Sequence, residues 1–318
     1  MVKQPTSNGI YYGSNVRRTE EDQYSETFMM NDKTGTGIMV MHHVFPGIDI
    51  VFNEFNMTEC ISEFQSNVKL IGFDYCFEGR IEWEIGGGKY LYLKPGSIEI
   101  DTKRSHAKKF GLPLSYYRGM TVAIHMEEAK SHSNDILLDF GVDIEKLYEK
   151  IYFDDLPYIT DADAYIRTFF ENLDSTDLRK NHEYLKIKTL EFLTYMNETD
   201  VKIKTRTDYF PKRQVDITKK IEKFVTENYY RHYTIKELSN RFQIAETSLK
   251  SCFKGVYGQP IGSYMKEYRM NMASQMLKDT NKNILEIAGD LGYSNQSKFS
   301  AAYKSLHGIS PKEYRKNN

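Results

Sequence analysis

The sequence predicts an α+β chain of two domains: a sheet-rich N-terminal half closed by helices, then an all-α C-terminal half. Three observations carry this prediction. Apolar residues from 36 to about 126 alternate in the period of strands, whereas those beyond about 214 recur at helical spacing. Charge divides along the same line, because residues 213–318 hold 18 Lys and Arg against 10 Asp and Glu while residues 1–212 hold 25 against 34. Finally, 318 residues suffice for two separate cores. The near-neutral formal charge of −1 therefore conceals a basic module beside an acidic one, and only the basic end suits an anionic partner.

In the N-terminal half the runs 36–43, 48–55, 70–77, 80–85, 90–93 and 97–101 are short and aromatic-rich, and Gly, Pro or Asn separate them. An antiparallel sandwich or barrel follows, spanning about 30–130. Gly86-Gly-Gly88 reads as a hairpin turn. Helical stretches are expected near 143–152, 161–173 and 183–196. In the last, Leu185, Thr189, Phe192, Leu193 and Met196 form an apolar stripe suited to the domain's own sheet or to a second protomer. The polar segment 200–213 reads as a linker, dividing the chain into domains 1–199 and 214–318.

The C-terminal half contains the same plan twice. Thr234-Ile-Lys-Glu237 is a capping box, in which the threonine hydroxyl accepts from the Glu237 amide and the Glu237 carboxylate accepts from the Thr234 amide. Leu238 and Phe242 follow on one face, Gln243-Ile-Ala245 turns the chain, and Leu249, Phe253 and Val256 return a second helix that Gly258 ends. Asn283-Ile-Leu-Glu286 then repeats the cap, Gly292 the turn, Phe299 and Tyr303 the anchors, and Gly308 the stop. Between the two helix-turn-helix units, Ile261, Tyr264, Met265, Tyr268, Met272, Met276 and Leu277 mark one amphipathic helix. Such a spacer holds two recognition helices on one side of a duplex, whose successive major grooves lie about 34 Å apart.

From Val215 to Arg315 the chain resembles the AraC/XylS family of transcriptional regulators. The most specific stretch is 284–315, with its second unit, its Gly308-Ile-Ser-Pro311 turn and its terminal Tyr314-Arg315. Motif by motif, the resemblance implies base contacts from Thr247, Lys250 and Ser251 in one recognition helix and from Gln296, Ser297 and Lys298 in the other. Lys254 and Lys304 would lie near phosphate. The chemistry suits readout, since Gln pairs with adenine, Lys donates to guanine and Ser or Thr serves either edge. Each residue alone is more simply an exposed helix position; the set in register is not. Ala245 stands where the family usually has a capping Ser, and Ala301 where a longer side chain is common.

The segment 86–100 resembles the cupin-like sensor domains that precede such modules, which implies a cupin-like antiparallel barrel holding a small-molecule effector. Phe73, Tyr75, Trp83 and Tyr92, with Phe77 and Tyr90, could line or fill it, and Arg80 or Arg104 could meet an anionic ligand. Residues 73–100, taken with 297–304, resemble the branch that includes siderophore-responsive regulators; sugars, aromatic acids, fatty acids and peptides are equally open. The expected partners are double-stranded promoter DNA, the effector, a second copy in a homodimer, and RNA polymerase.

No cofactor, metal or catalytic residue is expected. His42 and His43 are adjacent rather than spaced as His-x-His, His106, His125 and His132 are scattered, and no nucleophile motif or phosphate loop appears. Cys60, Cys76 and Cys252 have no metal-like spacing. With no signal-like start and no long apolar run, a cytoplasmic location is expected. The competing readings are a cupin-type metalloenzyme fused to a DNA module, and a constitutive DNA-binding protein without effector.

Overall fold

The computed structural model describes residues 15–61, 69–102, 109–151, 158–175, 181–199 and 209–317. The chain divides into two compact units, Met1–Tyr209 and Phe210–Asn318.

The first unit holds twelve strands among its described residues: β1 Val16–Glu21, β2 Ser25–Asp32, β3 Gly35–Phe45, β4 Ile48–Asn56, β5 Glu59–Ile61, β6 Leu70–Gly79, β7 Ile81–Ile85, β8 Lys89–Leu93, β9 Ser97–Asp101, β10 Lys109–Gly111, β11 Tyr117–His125 and β12 Tyr158–Asp161. Eight of them form one antiparallel sheet in the order β1-β2-β3-β4-β11-β6-β9-β12, and β8-β7-β10-β5 run side by side in a second. Both orders are open, so the sandwich or barrel expected from sequence is two sheets and no closed barrel among the described residues. Their inner faces meet over Met30, Phe55, Cys76, Leu91, Leu93 and Tyr117. The strands named from alternation are all present. Those missed are the charged edge strand β1, whose VRRTEE has no apolar face, and strands such as β2 and β12.

Helices cover the opposite face of the large sheet. These are α1 Met126–His132, α2 Asn134–Asp139, α3 Ile144–Ile151, α4 Ala164–Ser175 and α5 His182–Glu198. Ile50, Phe73, Tyr75, Ile98 and Val122 of the sheet share one core with Phe169, Phe170, Phe192 and Met196 of the helices. Asn181 starts α5 by accepting from the Tyr184 amide.

The second unit is α6 Lys212–Glu227, α7 Ile235–Phe242, α8 Glu246–Tyr257, α9 Ile261–Asp279, α10 Ile284–Asp290, α11 Gln296–His307 and α12 Pro311–Asn317. Both expected capping boxes form, Thr234 with Glu237 and Asn283 with Glu286. A third pairs Ser310 with Glu313 at α12, each backbone amide donating to the other residue's side chain. Helix α6 starts at Lys212, within the segment read as linker; the rest of that segment up to residue 208 lies outside the described residues. Spacer helix α9 buries Met265, Arg269, Met270, Ala273 and Leu277. The seam is thus broader than the one stripe read from sequence, because α9 serves two bundles at once. Among the described residues, no helix is long and apolar enough to cross a membrane.

Candidate nucleic-acid interface

Helix α8 buries Leu249, Cys252, Phe253 and Val256 on one side. Positions 247, 250, 251 and 254 follow the same helical spacing on the other, and Thr247, Lys250, Ser251 and Lys254 are all exposed there. The first turn toward α8 is made by Gln243 in the left-handed region at φ 53°, and Ala245 is its N-cap without any side-chain acceptor. Lys250 reaches back toward Glu246 at 3.9 Å, a loose, exposed pair that costs little to break.

Helix α11 is built to the same plan. Gly258 and Gly308 are equivalent left-handed C-caps at φ 83° and 76°, and stepping back from each pairs Phe253 with Tyr303 and Leu249 with Phe299. The outward face of α11 is therefore Ser297, Ala301 and Lys304, the counterparts of Thr247, Ser251 and Lys254. Gln296 and Lys298 are exposed in the first turn, but they correspond to Glu246 and Ser248 and flank that face rather than centre it. Half-buried Ser300, in register with Lys250, is a flanking position that motif matching passed over. So is Asn295, whose side chain accepts from the Lys298 amide at 2.8 Å and supplies the cap that α8 lacks.

The rest of the unit fixes these two faces. Tyr264 donates to Glu222 at 2.8 Å, joining α9 to α6. Tyr303 and Ser274 share a hydrogen bond of 2.7 Å beneath α11. The turn before α11 needs glycine: Gly292 has φ +78°, and a Cβ there would lie 2.2 Å from the Tyr230 carbonyl oxygen.

Residues 238–317 match the model of a helix-turn-helix domain. Over 253 residues the chain is 23% identical to the thermoregulatory protein LcrF of Yersinia pestis, covering 77% of this chain and 88% of that protein. It is 30% identical over 86 residues to a putative AraC-like transcription regulator of Streptomyces lividans, covering 27% of this chain and 28% of that one. A solved AraC-type regulator from Chromobacterium violaceum aligns at 25% identity over 31% of this chain and 89% of that one, with a TM-score of 0.30. The chain carries an AraC-type helix-turn-helix domain. With AraC/XylS-family regulators as its relatives, its function at the coarse level is that of a transcriptional regulator. In this AraC-type domain the helix-turn-helix unit occurs twice, and α8 and α11 are the second helices of the two units.

The five residues expected at an effector site are not gathered together. Phe73 is fully buried, edge-on to Phe192 at 5.3 Å, and Tyr75 stacks on Phe170 at 4.8 Å. Helix aromatics occupy the space that a ligand would need there. Trp83 packs in the separate core between the sheets, Tyr92 donates to Glu82 at 2.6 Å, and buried Arg80 has its own partners. Arg104 and His106 lie outside the described residues.

His42 and His43 do face opposite ways, and His43 belongs to a buried acidic cluster that sequence spacing concealed. Its Nδ1 lies 2.8 Å from Asp49 and its Nε2 3.5 Å from Glu26, while His125 Nε2 approaches the other Asp49 oxygen at 2.9 Å. One carboxylate hydrogen-bonds the ring and a second lies within ion-pair distance, so the surroundings favour the charged imidazolium. The hydrogen bond to Asp49 raises the His43 pKa despite partial burial. Burial pushes the Asp49 carboxyl up, but hydrogen bonds from His125 and His43 outweigh it and hold the group below its ordinary range. Among the described residues no group of His, Cys, Asp and Glu is arranged to hold a metal ion.

Proposed function

We propose that this regulator reads two successive major grooves with α8 and α11. Thr247, Lys250 and Ser251 touch bases from the first helix and Gln296, Ser297 and Lys298 from the second, with Lys254 and Lys304 on phosphate. The single observation that carries this reading is the paired register: Thr247 and Lys254 on α8 and Ser297 and Lys304 on α11 are exposed at equivalent positions opposite equivalent buried anchors, with Gln296 and Lys298 exposed beside that face. The excess of basic residues in 213–318 supports it, since phosphate neutralisation supplies most non-specific affinity. Half-sites on the DNA would then match a homodimer.

The N-terminal unit, a double-sheet fold of cupin-like kind, is the proposed receiver of a small-molecule effector that sets promoter occupancy. A groove of about 560 Å3 over β2, β3 and β4, lined by Thr27, Val40, His42, Phe52 and Arg118, supports this part better than the filled core around Phe73 and Tyr75. The switch requires that the effector bind two arrangements of the protein unequally.

The test is substitution at the reading face. Gln296→Ala and Lys250→Ala are each expected to cost about 1–3 kcal/mol of binding to a selected site and little on scrambled duplex. Losses below a few tenths of a kcal/mol on the selected site would remove those residues from the interface. DNA affinity that no bound ligand alters would sink the effector half alone.

A further inference from the structure

Within the C-terminal unit, a cleft of about 790 Å3 opens between the first helix-turn-helix unit, the start of α9 and the second unit. That volume is within the usual range for small-molecule sites. Leu238, Ile261 and Met265 give it an apolar floor, whereas its charged lining is Arg231, Lys250, Lys254, Lys266 and Arg269 with no Asp or Glu.

Arg269 is the informative residue. It is only 5% exposed, and its Nε and Nη2 donate to the carbonyl oxygens of Tyr229 at 2.6 Å and Arg231 at 3.1 Å. Among the described residues it has no carboxylate partner, and burial lowers its pKa. A buried guanidinium held by neutral carbonyls alone keeps its charge without a counter-charge, an arrangement that an anion entering from the cleft would relieve. Lys254 and Lys266 likewise have no carboxylate within ion-pair distance among the described residues. Lys250 and Arg231 have only exposed partners, Glu246 at 3.9 Å and Glu237 at 3.3 Å.

A neutral apolar ligand would match the floor and leave the cations unanswered. Duplex phosphate would match the cations and leave the floor wet. We infer that the cleft binds a small amphipathic anion, a carboxylate or sulfonate on an aryl or acyl body, and that this occupant competes with DNA for Lys250 and Lys254. The binding half stands on the cleft alone; the competition half rests on the proposed reading face.

The probe is 1-anilinonaphthalene-8-sulfonate, titrated into the full-length chain by fluorescence and equilibrium dialysis. Lys266→Glu inverts one exposed cation, and Gly262→Trp fills the cleft from an exposed position where a Cβ meets nothing within 4 Å. Both variants are expected to keep the wild-type thermal midpoint. Lys266→Glu should weaken one class of probe site at least about tenfold, as loss of a charged contact does, and Gly262→Trp should abolish it. A random-sequence duplex at low salt should displace the probe from the wild-type chain. Wild-type probe affinity in both variants would overturn the site, and if Lys266→Glu then weakened duplex binding instead, its cation would belong to phosphate. Duplex that binds without displacing the probe would overturn the competition. Duplex that fails to bind at all would refute the reading face, while probe loss in the variants would still establish the cleft.

Discussion

Replacing Lys254 and Lys304 by Gln removes two cations whose positions correspond on α8 and α11 and whose side chains are exposed. Neither has a carboxylate within ion-pair distance among the described residues, so no internal pair is lost with them. If each ammonium neutralises one phosphate of duplex DNA, each releases about 0.9 counterion on binding. The slope of log K against log salt should then become shallower by about 0.9 for each single variant and about 1.8 for the double variant. Between 50 and 200 mM salt the concentration changes fourfold, so each contact contributes a factor of about 3.5 to the fall in affinity. Over that range the wild-type chain should lose about twelvefold more affinity than the double variant. Fluorescence anisotropy with labelled duplexes at several salt concentrations measures this directly. Because phosphate contacts carry no sequence information, a selected site and its scrambled control should shift alike. An unchanged slope, or a loss confined to the selected site, would refute the assignment of these lysines to the backbone.

Two further perturbations probe the supporting structure. Gly292→Ala forces a side chain into φ +78° and against the Tyr230 carbonyl, and should destabilise the C-terminal unit by about 1–3 kcal/mol; an unshifted melting transition for that unit would show that the turn tolerates a Cβ. In the N-terminal unit, the raised pKa of His43 means that its contribution to stability is complete below its unfolded value of about 6.5 and is lost as pH rises through the folded value. The lowered pKa of Asp49 acts in the opposite sense, its contribution fading as pH falls through the folded value. As pH rises from about 5.5 to 8.5, the urea midpoint of the wild type should therefore fall relative to that of His43→Gln. A His43→Gln profile parallel to the wild type would place the pH dependence elsewhere.

The C-terminal half was legible because its local signals and its packing agree. Thr234-x-x-Glu237, Asn283-x-x-Glu286 and the stops at Gly258 and Gly308 are short-range rules, and the structure obeys each of them. The finer register of α11 was harder. The family motif points to Gln296, Ser297 and Lys298, whereas counting back from Gly308 puts Ala301 and Lys304 beside Ser297 on the outward face and Gln296 and Lys298 at its flanks. In the N-terminal half, alternation located six strands, β3, β4 and β6 to β9, but passed over β2 although alternate residues along it are buried. It did not locate β1, which presents charges on an edge, or reveal which strands pair. The aromatic character of Phe73 and Tyr75 could not distinguish a ligand wall from a core, because that depends on Phe170 and Phe192, far along the chain. The union of His43, Asp49, Glu26 and His125 is likewise a product of pairing β2, β3, β4 and β11, with no local motif to announce it.

The most direct measurement is selection of genomic fragments by the purified full-length chain, followed by titration of the strongest fragment against a scrambled duplex of equal length at fixed salt. The account predicts a discrete recovered site bound about 1,000-fold or more tighter than its scrambled control, as specific regulators achieve. Scrambled duplex bound as tightly as the best selected fragment would contradict it.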